Sequence, residues 1–199
     1  MARKWMFALL LAIVALPRAE VLLAAGVKIG DPAADFKGIV GTDDKEHSLS
    51  DFKDSKLVVL VFTCNHCPVA SAYEGRLVAL QDDYKAKGVQ VVAVNVNNID
   101  ADRLDKMKER AKAKNFNFPY LYDSSQKMGH DYGATVTPHV FVLDQHRKVA
   151  YMGAVDDKQN VDQVKKTYLR DAIDALLDGK QPAKTVTKQF GCGIKYEEK

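Results

Sequence analysis

The stretch "VVLVFTCNHCPVASAYEGRL", Val58 to Leu77, changes its period in the middle. Its first part belongs to an unbroken run of β-branched and apolar residues, Leu57 to Thr63. Such a run has no wet face and reads as a central strand buried on both sides. The second part opens on Pro68, which sits well at the first position of a helix, where its missing N–H has no partner to lose. From there Tyr73, Leu77, Leu80 and Tyr84 recur at helical spacing, one face of a helix that ends near Gly88. Cys64 and Cys67 stand at the junction of the two patterns.

Working outward, "VQVVAVNV", Val89 to Val96, is a second strand, and the strand-helix-strand unit favours a parallel pair with a right-handed crossover. A polar helix is expected over Ala101 to Lys114, then the extended piece "FNFPYLYD", then a short helix around Gln126 to Tyr132. Val136 to Leu143 and Lys148 to Met152 read as strands joined at "DQHR". Val161, Val164, Tyr168, Leu169, Ala172, Ile173, Leu176 and Leu177 trace a closing amphipathic helix that Gly179 terminates. Lys28 to Ser55, rich in Gly, Asp and Pro, reads as a hairpin or irregular lead-in. The order predicts an α/β fold: a central mixed β-sheet flanked by helices, with an N-terminal β extension and an inserted helix between its two halves.

A chain of 199 residues, 47% hydrophobic and 28% charged, fits one soluble domain with its own core. Residues 1–26 differ from the rest. Arg3 and Lys4 precede an apolar run from Trp5 to Leu16, followed by Pro17 and the small residues Ala24, Ala25 and Gly26, the order of a secretory signal peptide. The run is short for a membrane span, so contact with a membrane is expected only if the segment stays uncleaved. Cleavage is expected after Ala25 or Gly26, leaving a domain over 27–199 that is exported, periplasmic or otherwise extracytoplasmic. The segment carries Arg3, Lys4, Arg18 and Glu20, so its removal lowers the formal charge from +3 to about +1. No basic patch remains for a nucleic-acid partner.

Three cysteines, Cys64, Cys67 and Cys192, are an odd number for an oxidising compartment, and a domain of this size has no need of a disulfide scaffold. The C-x-x-C pair admits a redox couple, a structural staple or a metal site that adds Cys192 or a histidine. At a helix N-terminus the free N–H groups favour a thiolate. Cys64 is therefore expected to be exposed and to attack, with Cys67 behind it as the resolving thiol. His66 between them would favour the thiolate form further and make the couple more oxidising. Soft thiolates at Cys64, Cys67 and Cys192 would also suit Cu(I), which keeps a copper-carrying module open. Of the other histidines, His139 is expected to pack, and His47, His130 and His146 to lie at the surface.

On these residues, together with "GDPAADF", "YEGRL", "VVAVNVNN", "FPYLYD", "YGATVTPHVFVLD" and "GCGIKY", the chain resembles the thioredoxin-like redoxins of the alkyl hydroperoxide reductase and thiol-specific antioxidant superfamily, close to TlpA-like thiol-disulfide proteins. The resemblance covers about Gly30 to Lys195. It implies a thioredoxin fold, Cys64 and Cys67 as the redox pair, and a cis bond between Thr137 and Pro138 beside that pair, with Thr137 offering its backbone to a bound peptide. It further implies an oxidoreductase that exchanges disulfides with protein substrates, needs no bound cofactor and works with a separate, unidentified redox partner.

Two departures stand out. The proline of the peroxiredoxin pattern P-x-x-x-T-x-x-C falls on Leu60, with only Thr63 suggestive, so a thiol peroxidase is the weaker alternative. The acidic residue that TlpA-like reductases carry after the second cysteine is Ala70 here, which leaves Glu74 as the nearest acid on the helix. Cys192 remains open as a third redox thiol, a metal ligand or an inert tail cysteine.

Overall fold

The computed structural model describes residues 26–198. The expected signal peptide, Gly26 apart, lies outside the described residues. The lead-in forms a small antiparallel hairpin, β1 (Ile39–Val40) and β2 (Glu46–His47). Then come β3 (Leu57–Phe62), α1 (Pro68–Lys85) and β4 (Val89–Asn95), with β4 parallel to β3 as the sequence predicts. The connection onward carries α2 (Leu104–Ala113), the short strand β5 (Tyr120–Tyr122) and α3 (Lys127–Tyr132). The second half holds β6 (Val136–Thr137), β7 (His139–Leu143), β8 (Val149–Gly153) and α4 (Tyr168–Leu177), and the tail adds β9 (Cys192–Gly193). The central sheet runs β5-β4-β3-β7-β8, with β7 antiparallel to β3. Among the described residues no helix is long and apolar enough to cross a membrane.

The unbroken apolar run of β3 serves two cores. Leu57, Val59 and Val61 meet Tyr73, Leu77, Leu80 and Tyr84 of α1 and Leu169 and Ile173 of α4. Val58, Leu60 and Phe62 face the other way, toward Phe36, Leu49, Phe52, Met128 and Tyr132. Successive side chains on a strand point to opposite faces, so a strand with a core on each side must be apolar throughout. Burying each of these side chains contributes roughly 1.5–3 kcal/mol. Both sheet edges are covered. The N-terminal hairpin joins the β5 edge through the Thr42 N–H to the Tyr120 carbonyl (2.9 Å), and Thr185 and Thr187 bond to both sides of Met152 on β8 (2.9 and 3.1 Å). Covered edges offer no free ladder to another chain.

Three expectations are corrected. The predicted strand Val136 to Leu143 is broken at Pro138, which has no N–H for a ladder, and β6 leaves the central sheet to pair with β9. The polar helix predicted from Ala101 is a 3-10 turn over Asp100–Asp102 followed by α2, because Arg103 between them is extended (ψ 157°). Val161 and Val164 do not belong to the last helix. The Asp157 carboxylate takes the N–H groups of Lys165 and Lys166 (2.9 and 3.1 Å), which holds that segment out of helix and leaves Val161 60% exposed.

Candidate active site

β3 ends at Phe62 and α1 begins at Pro68, so residues 63–67 form the turn between a buried strand and a helix. Cys67 is the N-cap of α1, its Sγ accepting the Ala70 N–H at 3.3 Å. Cys64 lies three residues earlier in the turn, with Sγ 3.1 Å from the Thr137 hydroxyl. The Cys67 thiol in turn donates to the Thr137 carbonyl at 3.3 Å. Thr137 thus touches both sulfurs, and the Thr137–Pro138 bond that follows is cis, as expected. All three cysteines are free thiols, and Cys192 packs against the cluster of Cys64, Cys67 and Ala70. The topology explains the meeting: β3 is the central strand, β7 is its neighbour, and Pro138 enters β7 where β3 hands over to the turn.

The expected exposure of Cys64 is corrected. It is 2% exposed and Cys67 is fully buried. Burial pushes the Cys64 thiol up to about 12; the Thr137 hydroxyl pulls against this, and the nearby Asp102 carboxylate adds to it. Burial also works against the Cys67 thiolate, but the Cys192 thiol, the Ala70 N–H and Thr137 outweigh it and hold Cys67 below the ordinary thiol value. The Cys192 thiol leads these effects, and the N-terminus of α1 adds the Ala70 N–H. Of the two thiols, Cys67 is the more acidic.

Asp102 is the residue sequence reasoning missed. Fully buried, it accepts the backbone N–H groups of Asn65 (2.8 Å) and His66 (3.1 Å) on one oxygen and binds His66 Nδ1 at 2.5 Å with the other. His66 is therefore paired with a buried carboxylate beside the two cysteines. One signal pointed to Asp102: it follows the carboxyl end of β4, next to β3, where open α/β sheets place their sites. Glu74, the acid expected from sequence, is only 5% exposed but is held by Arg110 (2.7 and 3.0 Å) and braces α1 against α2.

Cys64, His66 and Asp102 offer one ligand atom each within 4.8 Å of one another. This differs from the Cys64, Cys67 and Cys192 set expected for copper. A carboxylate and an imidazole already bonded to each other are a poor match for Cu(I), which prefers soft donors. His139 packs as expected, its ring against Phe141 at 4.6 Å.

A family model described as Redoxin matches residues 28–168. No match is found among the curated proteins. Among solved structures, a hypothetical protein of Sinorhizobium meliloti is 34% identical, with a TM-score of 0.81 over 87% of this chain and 97% of its own. An uncharacterized conserved protein of Geobacillus kaustophilus is 33% identical, with a TM-score of 0.81 over 86% and 94%. A protein of Chlorobium tepidum assigned as the thiol:disulfide interchange protein DsbE is 29% identical, with a TM-score of 0.56 over 64% and 85%.

Proposed function

The chain belongs to the redoxin family, and from that premise we propose that it is an exported thiol-disulfide oxidoreductase acting on protein substrates through Cys64 and Cys67. One observation carries the reading: both thiols are held by a single residue, Thr137, at 3.1 and 3.3 Å, beside cis Pro138. The likeness to a protein assigned as DsbE supports it.

The electrostatics shape the first exchange step. With the pair oxidised, a substrate thiolate attacks Cys64 Sγ, the Cys64–Cys67 bond breaks, and Cys67 leaves as the thiolate that its cap stabilises. A second substrate thiol attacks the substrate sulfur of the mixed disulfide. Cys64 then departs and takes a proton, the substrate is oxidised by two electrons, and the pair is reduced. A thiol held below its ordinary value is the better leaving group, and stabilising the reduced form makes a couple more oxidising. Cys64, with a thiol pushed up to about 12, is seldom a thiolate, which slows its attack in the reverse direction and its departure in the second step alike. Its role is to carry the mixed disulfide, and a separate partner must re-oxidise the pair.

The test is turnover of a dithiol peptide by the oxidised protein. Cys64→Ser should abolish it, and Cys67→Ser, which leaves Cys64 without the partner of its disulfide, should abolish it too. Full turnover by Cys64→Ser would sink the reading, and peroxide consumption in place of peptide exchange would transfer it to a thiol peroxidase.

A further inference from the structure

The C-terminal tail does not hang free. Ile194 N–H bonds to the Thr135 carbonyl (3.0 Å), Lys195 N–H to Asn97 Oδ1 (2.7 Å), and Gln126 Nε2 to the Lys195 carbonyl (2.8 Å). Tyr196 stacks on His130 at 4.2 Å, and its hydroxyl reaches the Ala134 carbonyl. These anchors place β9 against β6 in a fixed register, Cys192 opposite Thr137 and Gly193 opposite Val136. Gly191 has φ +156°, and a Cβ there would come within 2.0 Å of the Thr137 carbonyl, so the approach requires glycine.

Among the described residues β6 pairs with β9 alone. An extended peptide that sought the backbone of Thr137 would add as a strand on this edge. The chain's own tail is already there, and it carries a cysteine. Cys192 and Cys67 both flank Thr137, and each perturbs the other's ionisation, Cys67 downward and Cys192 upward.

We propose that Cys192 is a third member of the redox centre: in the oxidised protein it exchanges with the Cys64–Cys67 disulfide to form a Cys67–Cys192 bond that fastens the tail strand over the site. This deepens the redox reading above and rests on it. In the step, Cys192 loses its proton and its sulfur attacks Cys67 Sγ. The Cys64–Cys67 bond breaks, and Cys64 leaves and takes up a proton. One disulfide replaces another, so no outside oxidant or reductant enters. The Thr137 hydroxyl, 3.1 Å from Cys64 Sγ, is placed to hydrogen-bond the released sulfur. Cys67 is common to both bonds, and the strand that blocks a substrate is covalently held in one of the two states.

The experiment is a disulfide map of the full chain oxidised with oxidised glutathione, its free thiols blocked with N-ethylmaleimide at low pH and the protein digested with trypsin unreduced. Trypsin leaves Cys64 and Cys67 on Leu57–Arg76 and Cys192 on Gln189–Lys195. The expected result is the two peptides linked through Cys67 with the maleimide on Cys64, and a matching loss of alkylated Gln189–Lys195. Cys64→Ser should convert fully to the linked form. A Cys64–Cys67 bond in the unsubstituted protein, with Cys192 alkylated throughout in both it and Cys64→Ser, would overturn the inference and leave the redox reading standing. No disulfide on Cys64 or Cys67 at all would overturn both.

Discussion

His139 follows Pro138 into β7, 3% exposed, and among the described residues neither of its ring nitrogens has a hydrogen-bond partner. Burial disfavours the imidazolium and lowers its pKa from 6.5 to about 4. Between those two values the unfolded chain binds a proton that the folded chain refuses, so stability rises with pH across this window and levels off above it. Taking the protein from pH 7 to pH 5 should therefore withdraw about 2 kcal/mol through this one ring. His139→Leu removes the titrating group and keeps an apolar side chain against Phe141. Urea denaturation at the two pH values should show its pH-dependent loss smaller than that of the unsubstituted protein by this amount, and equal losses would refute the assignment. Chemistry hidden in single residues was the least legible part of the sequence. Asp102 looked like one more acid in "NIDADRL", because only the crossover from β4 shows that its carboxylate turns inward to Asn65 and His66.

At the scale of elements, the strand-to-helix switch was legible because each half of Val58 to Leu77 obeys a local rule: an unbroken apolar run before the cysteines, Pro68 and a helical stripe after them. Val161 and Val164 misled because they extend the apolar stripe of α4, while Asp157 takes their neighbours' N–H groups from a distance no periodicity reveals. The pairing of β6 with β9 was hidden for a related reason: two residues on each side are too few to carry a pattern, and a register between Thr137 and Cys192 is a long-range fact. "FGCG" did hold a clue in Gly191. Gly191→Ala should force the tail off β6, since its Cβ would overlap the Thr137 carbonyl. The expected outcome is faster labelling of the native Cys64 and Cys67 by a small maleimide, with a stability loss of about 1–3 kcal/mol. Unchanged labelling would show that the tail does not cover the sulfurs.

For the whole molecule, compartment and rigidity matter most. The described chain is already engaged at its first residues: Gly26 packs against Gly133, and Val27 N–H bonds to the Asp131 carbonyl at 3.3 Å. A processed chain starting there would keep these contacts. N-terminal sequencing of protein from a periplasmic fraction should give a start at Gly26 or Val27, and an intact Met1 in the cytoplasmic fraction would defeat the export proposal. The turn that holds the sulfurs of Cys64 and Cys67 is tied to several parts of the chain at once. Asp102 grips the backbone of Asn65 and His66, while the Asn65 side chain donates to the Ala101 carbonyl at 2.9 Å and accepts the Tyr120 hydroxyl at 3.1 Å. Bringing two thiols together in a loose chain costs conformational freedom, and here the fold has removed that freedom beforehand. The two thiols are thus held beside one residue before any oxidant arrives, and closure of the ring by an oxidising partner demands little further ordering of the chain.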